Sequence, residues 1–287
     1  MRVTVGVCKA AGVLVLCACT MASAARRAIA QSAKEHVGSA TRGKALLNAF
    51  RDSLPQNSGN RLRCTSCHLD EGTRASAMPW LNTAARYPKY RARRGAEETL
   101  TQRVNECVTR SLAGRALPEN GSAMRDILAY LDSLGALPRP AAPDTVKLVG
   151  NVRHGGRVYA TTCVRCHAVD GRGIAKLAPA VWGARSYSIG AGLSRQTVLA
   201  TFVRANMPYD KATQLTAQDA ADVAAYVLAK PRQDHPGKER DWPKGDPPMD
   251  VAYATNGARD AGKLLPPTRA VLPRRVSPIA PATVRTP

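Results

Sequence analysis

The chain has 287 residues, with 42 Lys and Arg against 21 Asp and Glu, a formal charge of +21. Apolar residues make up 44%, which excludes a disordered polyelectrolyte, and the 22 Gly and 20 Pro follow no fibrous repeat. Aromatics are only 5%, so the core must rely on Ala, Val and Leu, or on a large apolar group that is not protein.

The chain opens on an export signal. Arg2 and Lys9 make a short basic start, Ala10 to Ala24 is small or apolar and uncharged, and Ala22-Ser23-Ala24 is a small-x-small cleavage pattern. Residues 1–24 are read as a signal peptide and the mature protein as periplasmic. Leu16-Cys17-Ala18-Cys19 also resembles a lipobox, and acylation of Cys19 is the alternative. No later segment reaches the roughly 18 apolar residues of a membrane span, so the mature protein is not expected to be transmembrane.

Two similar units follow. In the first, residues 35–137, a helix-like stretch Lys44–Phe50 precedes a Cys-rich motif, and Met124–Leu131 places apolar residues at helical spacing. Residues 138–149 are a Pro-rich linker. The second unit, residues 150–230, repeats the order with Gly155–Ala160, a second Cys-rich motif and the amphipathic stretch Ala221–Leu228. Each unit ends in an amphipathic helix carrying a Tyr. The expected fold is all-α: two tandem domains of one helical architecture, then an extended C-terminal tail. Residues 231–287 read as a surface strap to about 255 and a disordered end.

The motifs carry the chemistry. They are Cys64-Thr65-Ser66-Cys67-His68 and Cys163-Val164-Arg165-Cys166-His167, the attachment pattern of a c-type haem. Each thiol adds to one porphyrin vinyl group, two intervening residues span the vinyls, and the adjacent His is brought under the iron. A zinc half-site or redox dithiol needs no such His. Two covalently attached haem c groups are therefore expected on Cys64, Cys67, Cys163 and Cys166, with His68 and His167 as proximal iron ligands. The two units, each ending in a helix with a Tyr, are expected to be two tandem cytochrome c-like haem domains.

The distal ligands differ between the units. Met207, followed by Pro208, stands in the second unit where an axial thioether is expected. The first unit has no Met at the matching place. Cys107 lies there, within one residue of the same distance behind its His, and it is the one Cys after the signal not used for attachment. Cys107 is read as an iron ligand, with Met78 and Met124 as competing candidates and a buried thiol as the plain alternative. A thiolate holds iron ferric and lowers its potential, whereas a thioether raises it, so electrons should run from the first haem to the second. A Cys ligand is also a nucleophile once detached.

These residues resemble the dihaem thiosulfate dehydrogenases, related to the haem subunit of the Sox sulfur-oxidising complex. The resemblance is carried by Cys64-Thr65-Ser66-Cys67-His68-Leu69-Asp70-Glu71-Gly72, Pro79-Trp80, Tyr87-Pro88-Lys89-Tyr90, Arg103-Val104-Asn105-Glu106-Cys107 with Arg110-Ser111-Leu112, Asn206-Met207-Pro208 and Asp241-Trp242-Pro243. The segment around Cys107 is the specific part. It implies oxidation of two thiosulfates to tetrathionate, or the reverse, at a His/Cys-ligated haem. Electrons would pass to a His/Met-ligated haem and on to an external partner such as a small cytochrome c or another periplasmic acceptor. A dihaem electron carrier without substrate chemistry, and a Sox-type sulfur-transfer subunit, are the alternatives.

The basic residues agree on the charge of the substrate. Arg86, Lys89, Arg91, Arg93 and Arg94 form a run without an acid, and Arg103 and Arg110 flank Cys107 at helical spacings. Guanidinium forks suit sulfonate oxygens, which makes Arg103, Arg93 and Arg110 candidate catalytic residues beside Cys107. The net charge has no nucleic-acid recognition motif to go with it, and no nucleic acid partner is expected.

Overall fold

The computed structural model describes residues 37–263, apart from 136 and 139, together with 271–272. The expected signal at 1–24 and most of the expected disordered end lie outside the described residues.

Among the described residues, the longer helices are α1 (Ala40–Asn48), α2 (Leu100–Glu106), α3 (Ser122–Ser133), α4 (Val152–Val158), α5 (Gln196–Asn206) and α6 (Ala217–Leu228). The architecture is two tandem cytochrome c domains, mostly helical. Strands are few: β1 (Lys89–Arg91) pairs antiparallel with β2 (Ala96–Glu98), and Arg232–Gln233 pairs with Val271–Leu272. Among the described residues no helix is long and apolar enough to cross a membrane.

The repeat seen in the sequence has a physical core. In the first domain α1 crosses α3 at Gly43, and in the second α4 crosses α6 at Gly155. A Cβ at either glycine would overlap a carbonyl oxygen, that of Asp126 or of Asp222. The carboxylate of the same residue ties down the start of the partner helix. Ser39 N–H donates to Asp126 Oδ1 at 2.7 Å, and Asn151 N–H donates to Asp222 Oδ1 at 2.6 Å. One turn further along α3 and α6 stand Tyr130 and Tyr226, edge-on to Trp80 (6.2 Å) and Trp182 (5.9 Å). Each Trp lies against a glycine of positive φ, Gly72 or Gly171, where no side chain would fit. The frame is therefore duplicated down to a glycine, an aspartate, a tyrosine and a tryptophan.

One apolar cluster runs through both domains and includes Phe50, Ile127, Tyr159, Leu199 and Val223. Polar bonds cross between them as well. Asn60 Nδ2 donates to Ser186 O (2.9 Å) as well as to Ser111 O (2.8 Å) in its own domain, and Arg61 N–H donates to Arg185 O (3.2 Å). The Pro-rich stretch between the domains is anchored by Val146 N–H on Thr201 Oγ1 at 2.9 Å.

The segment after Pro231 is more deeply embedded than the surface strap read from the sequence. Arg232, Gln233, Asp241, Trp242 and Tyr253 are all buried. Trp242, Val251, Ala252 and Tyr253 form a second small core with Ile189. The reason is compositional: a few large side chains in an aperiodic segment bury as much surface as a short helix.

Gly155→Ala should force α4 and α6 apart and lower the unfolding free energy by about 1–3 kcal/mol, the usual cost of overpacking a tight contact. Thermal denaturation of the purified holoprotein checks this, with the exposed Gly192→Ala, where an added Cβ meets nothing, as the control.

Candidate active site

In each attachment motif the His is presented in the state that iron requires. His68 Nδ1–H donates to Met78 O at 2.6 Å, and His167 Nδ1–H donates to Pro179 O at 2.9 Å. A carbonyl only accepts, so the proton sits on Nδ1 and the Nε2 lone pair is left for a metal. Burial keeps both rings neutral, depressing His68 to about 4 and lowering His167 as well. None of the five described cysteines is in a disulfide, so Cys64, Cys67, Cys163 and Cys166 carry thiols. The donor set of each domain, two thiols and one neutral imidazole nitrogen, fits covalent haem c.

The candidate distal residues are placed differently. Met207 follows the last residue of α5, with its N–H on Val203 O at 2.9 Å, and packs half-buried against the core. Met124 is fully buried within α3, and Met78 lends its carbonyl to His68. Cys107 ends α2 and opens a π-helical turn, Cys107–Ser111. Such turns insert one extra residue and turn the following side chains to a new face. Cys107 is brought to the first attachment motif. Burial raises the Cys64 and Cys67 thiols, Cys67 to about 12, and electrostatic interaction with the neighbouring Cys107 adds to both shifts. Interaction with Cys107 is also the main cause holding the Arg103 guanidinium above its usual range.

Cys107 lines a cavity of about 320 Å³ whose walls also carry Arg91, Arg93, Arg103, Arg110 and Arg195. This is at the small end of ligand pockets, about 300–1,000 Å³. The three Arg residues singled out in the sequence are thus gathered around the sulfur. From the basic run only Arg91 and Arg93 reach the cavity. Arg86 bonds elsewhere, to Asn82 O (3.0 Å) and Thr83 Oγ1 (3.0 Å).

Their roles differ by what already holds them. Arg110 forks onto Asp241, Nη1 to Oδ2 at 2.8 Å and Nη2 to Oδ1 at 2.7 Å. Tyr253 O–H donates to the same Asp241 Oδ2 at 2.6 Å. Arg93 stacks 4.7 Å over the Trp242 ring and donates to Gly190 O at 2.9 Å. Burial lowers its pKa. Arg103 stands 3.6 Å from Glu106, feels the Glu98 carboxylate as well, and lines the cavity beside Cys107.

Sequence reasoning missed Arg195 and the carboxylates behind the arginines. Arg195 comes from the second domain, just before α5, and donates to Asp250 Oδ1 at 2.8 Å. Nothing local marks it, because only the packing of the two domains brings it to Cys107. Asp241 lay within the quoted Asp241-Trp242-Pro243, and its buried position was the missing information.

Comparisons with known proteins cover the same ground. The family described as SoxA/TsdA, cytochrome c domain matches residues 55–136, and the family described as cytochrome c matches residues 152–230. A thiosulfate dehydrogenase of Psychrobacter arcticus is 36% identical over 223 residues, 73% of this chain and 68% of that protein. One of Allochromatium vinosum is 37% identical over 211 residues, 68% of this chain and 78% of that protein. Among solved structures, the thiosulfate dehydrogenase TsdBA from Marichromatium purpuratum matches with a TM-score of 0.65 at 29% identity. The match covers 69% of this chain and 47% of that one, so this chain spans about half of that protein's length.

Asp241 is almost fully buried and answers two arginines. Asp241→Ala should leave Arg110 with only the more distant Glu106, 3.4 Å away and shared with Arg103, and lower the unfolding free energy by about 3–5 kcal/mol, the usual result of breaking a buried pair from one side. Denaturant titration of the holoprotein measures it, and Asp241→Asn should recover part of the loss.

Proposed function

Because the chain belongs to the thiosulfate dehydrogenase family, we propose that it couples two thiosulfate dianions into one tetrathionate dianion with release of two electrons. The observation that carries the reading is the single cavity in which Cys107 meets five arginines beside the first attachment motif. When bound, the two haem c groups supply one-electron acceptors, the first at the reaction site and the second on the way out. In this reading Cys64 and Cys67 hold the first haem and Cys163 and Cys166 the second. His68 and His167 are the proximal ligands, and Cys107 and Met207 the distal ones.

The protein's own residues solve an electrostatic problem. Two dianions must bring their sulfane sulfurs together, and in water they repel. The guanidinium groups of Arg103, Arg93, Arg110, Arg91 and Arg195 offset that repulsion in a cavity already organised for it. Arg103, whose strongest electrostatic neighbour is Cys107, takes the inner anion. Arg110 and Arg93 are oriented by Asp241 and the Trp242 ring, and Arg195 faces the anion that arrives from the second-domain side. Cys107 is the nucleophilic sulfur at which the new sulfur–sulfur bond is organised. The mature protein, after loss of residues 1–24, would act in the periplasm. Its electrons would go to an external one-electron protein such as a small cytochrome c.

Cys107→Ser and Cys107→Met should each lower thiosulfate oxidation by about a hundredfold or more, with both haems still attached by intact mass. Anaerobic assay with thiosulfate and ferricyanide, with tetrathionate determined directly, tests this. Wild-type activity in Cys107→Ser would leave a dihaem electron carrier as the better reading.

Arg195→Ala should raise the KM for thiosulfate about tenfold, roughly 1.4 kcal/mol of binding, with little change in kcat. Steady-state kinetics on the same variant separates the two parameters.

A further inference from the structure

The residue before Met207 is the buried end of a bridge between the two domains. Asn206 closes α5, and its side chain is wholly inaccessible to water. All of its hydrogen-bonding groups are used. Nδ2 donates to Phe202 O at 3.0 Å and to Ser76 O at 3.1 Å, and Oδ1 accepts from Ser76 Oγ at 2.8 Å. With carbonyls facing the amide nitrogen and a hydroxyl facing the oxygen, only one orientation of the amide satisfies every group.

Ser76 belongs to the first domain and stands two residues before Met78, whose carbonyl accepts the His68 Nδ1–H. The segment between them is stiff. Ala77 is fully buried with its N–H on Arg74 O at 3.1 Å, and Trp80 N–H closes the segment onto Gly72 O at 2.7 Å. A short covalent and hydrogen-bonded path therefore runs from His68 through Met78, Ala77 and Ser76 to Asn206 and Met207. Tyr209, on the other side of Met207, is tied to the same first-domain segment. Its O–H donates to Asp70 Oδ1 at 3.1 Å, and Arg74, itself forked on Asp70, lies 4.5 Å over its ring. Both flanks of Met207 are thus pinned to residues 70–76, the stretch just behind the first attachment motif.

We propose that Asn206 and Ser76 are positioning residues that fix the Met207 thioether and link the ligand environments of the two haem domains. This rests on the reading of His68 and Met207 as iron ligands. Holding a thioether in one orientation favours the ligated over the detached form, and the hold is exerted from the other domain. The path also gives a rigid, hydrogen-bonded connection for electrons moving between the sites.

The test uses Ser76→Ala, because Ser76 lies outside the second domain and a role confined to its own domain would not reach the second haem. In the purified dihaem protein, Ser76→Ala should lower the ratio of Met-ligated to Met-detached second haem by more than about twofold, the lower bound of coupling between contacting residues. The readouts are the Met–iron charge-transfer absorbance and the midpoint potential of that haem. Electron exchange from the first haem to the second, followed by flash reduction, should slow in the same variant. Ser76→Thr keeps the hydroxyl and should restore the wild-type values. Asn206→Ala should shift them in the same direction, and the double variant should add little to either single change. A second haem with unchanged absorbance, potential and exchange rate in Ser76→Ala would overturn the proposal. Met207→Gly is the reference: if it too leaves the second haem unchanged, the ligand reading fails and the proposal falls with it.

Discussion

Guanidinium groups gathered around one sulfur repel one another, and a large part of the molecule is arranged to keep them there. Like charges a few ångströms apart inside a protein are tolerated only with carboxylates close by. Asp241 answers Arg110 and stands 4.0 Å from Arg93; Glu106 lies 3.6 Å from Arg103 and 3.4 Å from Arg110; Glu98 is 3.4 Å from Arg91 and Asp250 is 2.8 Å from Arg195. Of these carboxylates only Glu106 lines the cavity. The positive ends therefore face inward and the compensating charges stand behind them. Asp241 in turn depends on Tyr253 and on the small core around Trp242, which explains why an aperiodic segment after the second domain is so deeply buried.

The two domains show how one frame serves two purposes. Gly43 with Asp126 and Gly155 with Asp222 make the same helix crossing, and the His of each attachment motif is oriented by a backbone carbonyl. The difference lies at Cys107 and Met207. In the second domain α5 simply ends at Asn206, and Met207 follows in extended backbone. In the first, α2 passes into a π-helical turn that starts at Cys107 and carries Arg110. A sulfur with arginines around it replaces a sulfur with apolar packing. The same frame then carries a charged cavity in one domain and a half-buried thioether in the other.

Much of this was legible in the sequence because it is local. The attachment motifs, the terminal helices with their Tyr, and the spacing of Arg103 and Arg110 about Cys107 depend on neighbours in the chain. Cys107 itself stands out because it is the Cys left over from attachment and because it matches the place of Met207 in the other unit. The crossing glycines were passed over because a glycine in a helical stretch looks like a weak helix former until its partner is known. Arg195 and Ser76 carry no local signal, and both matter through a contact with the other domain. The short strands around the Lys89–Glu98 hairpin escaped because three residues are too few to show an alternating pattern.

The bond between Arg110 and Asp241 joins residues 131 apart in sequence, and the one between Asn206 and Ser76 joins residues 130 apart. Contacts this distant have the largest loop-closure entropy to overcome, whereas the helices within each domain need no such search. The order of folding follows: each domain can form its helix crossing first, and the cavity closes only when the segment around Asp241 arrives. An emerging chain would thus present its cysteines and histidines to a porphyrin before it could hold an anion. Neither domain cut out alone would keep the reactive pocket, so the molecule cannot be divided at its linker into a catalyst and a carrier.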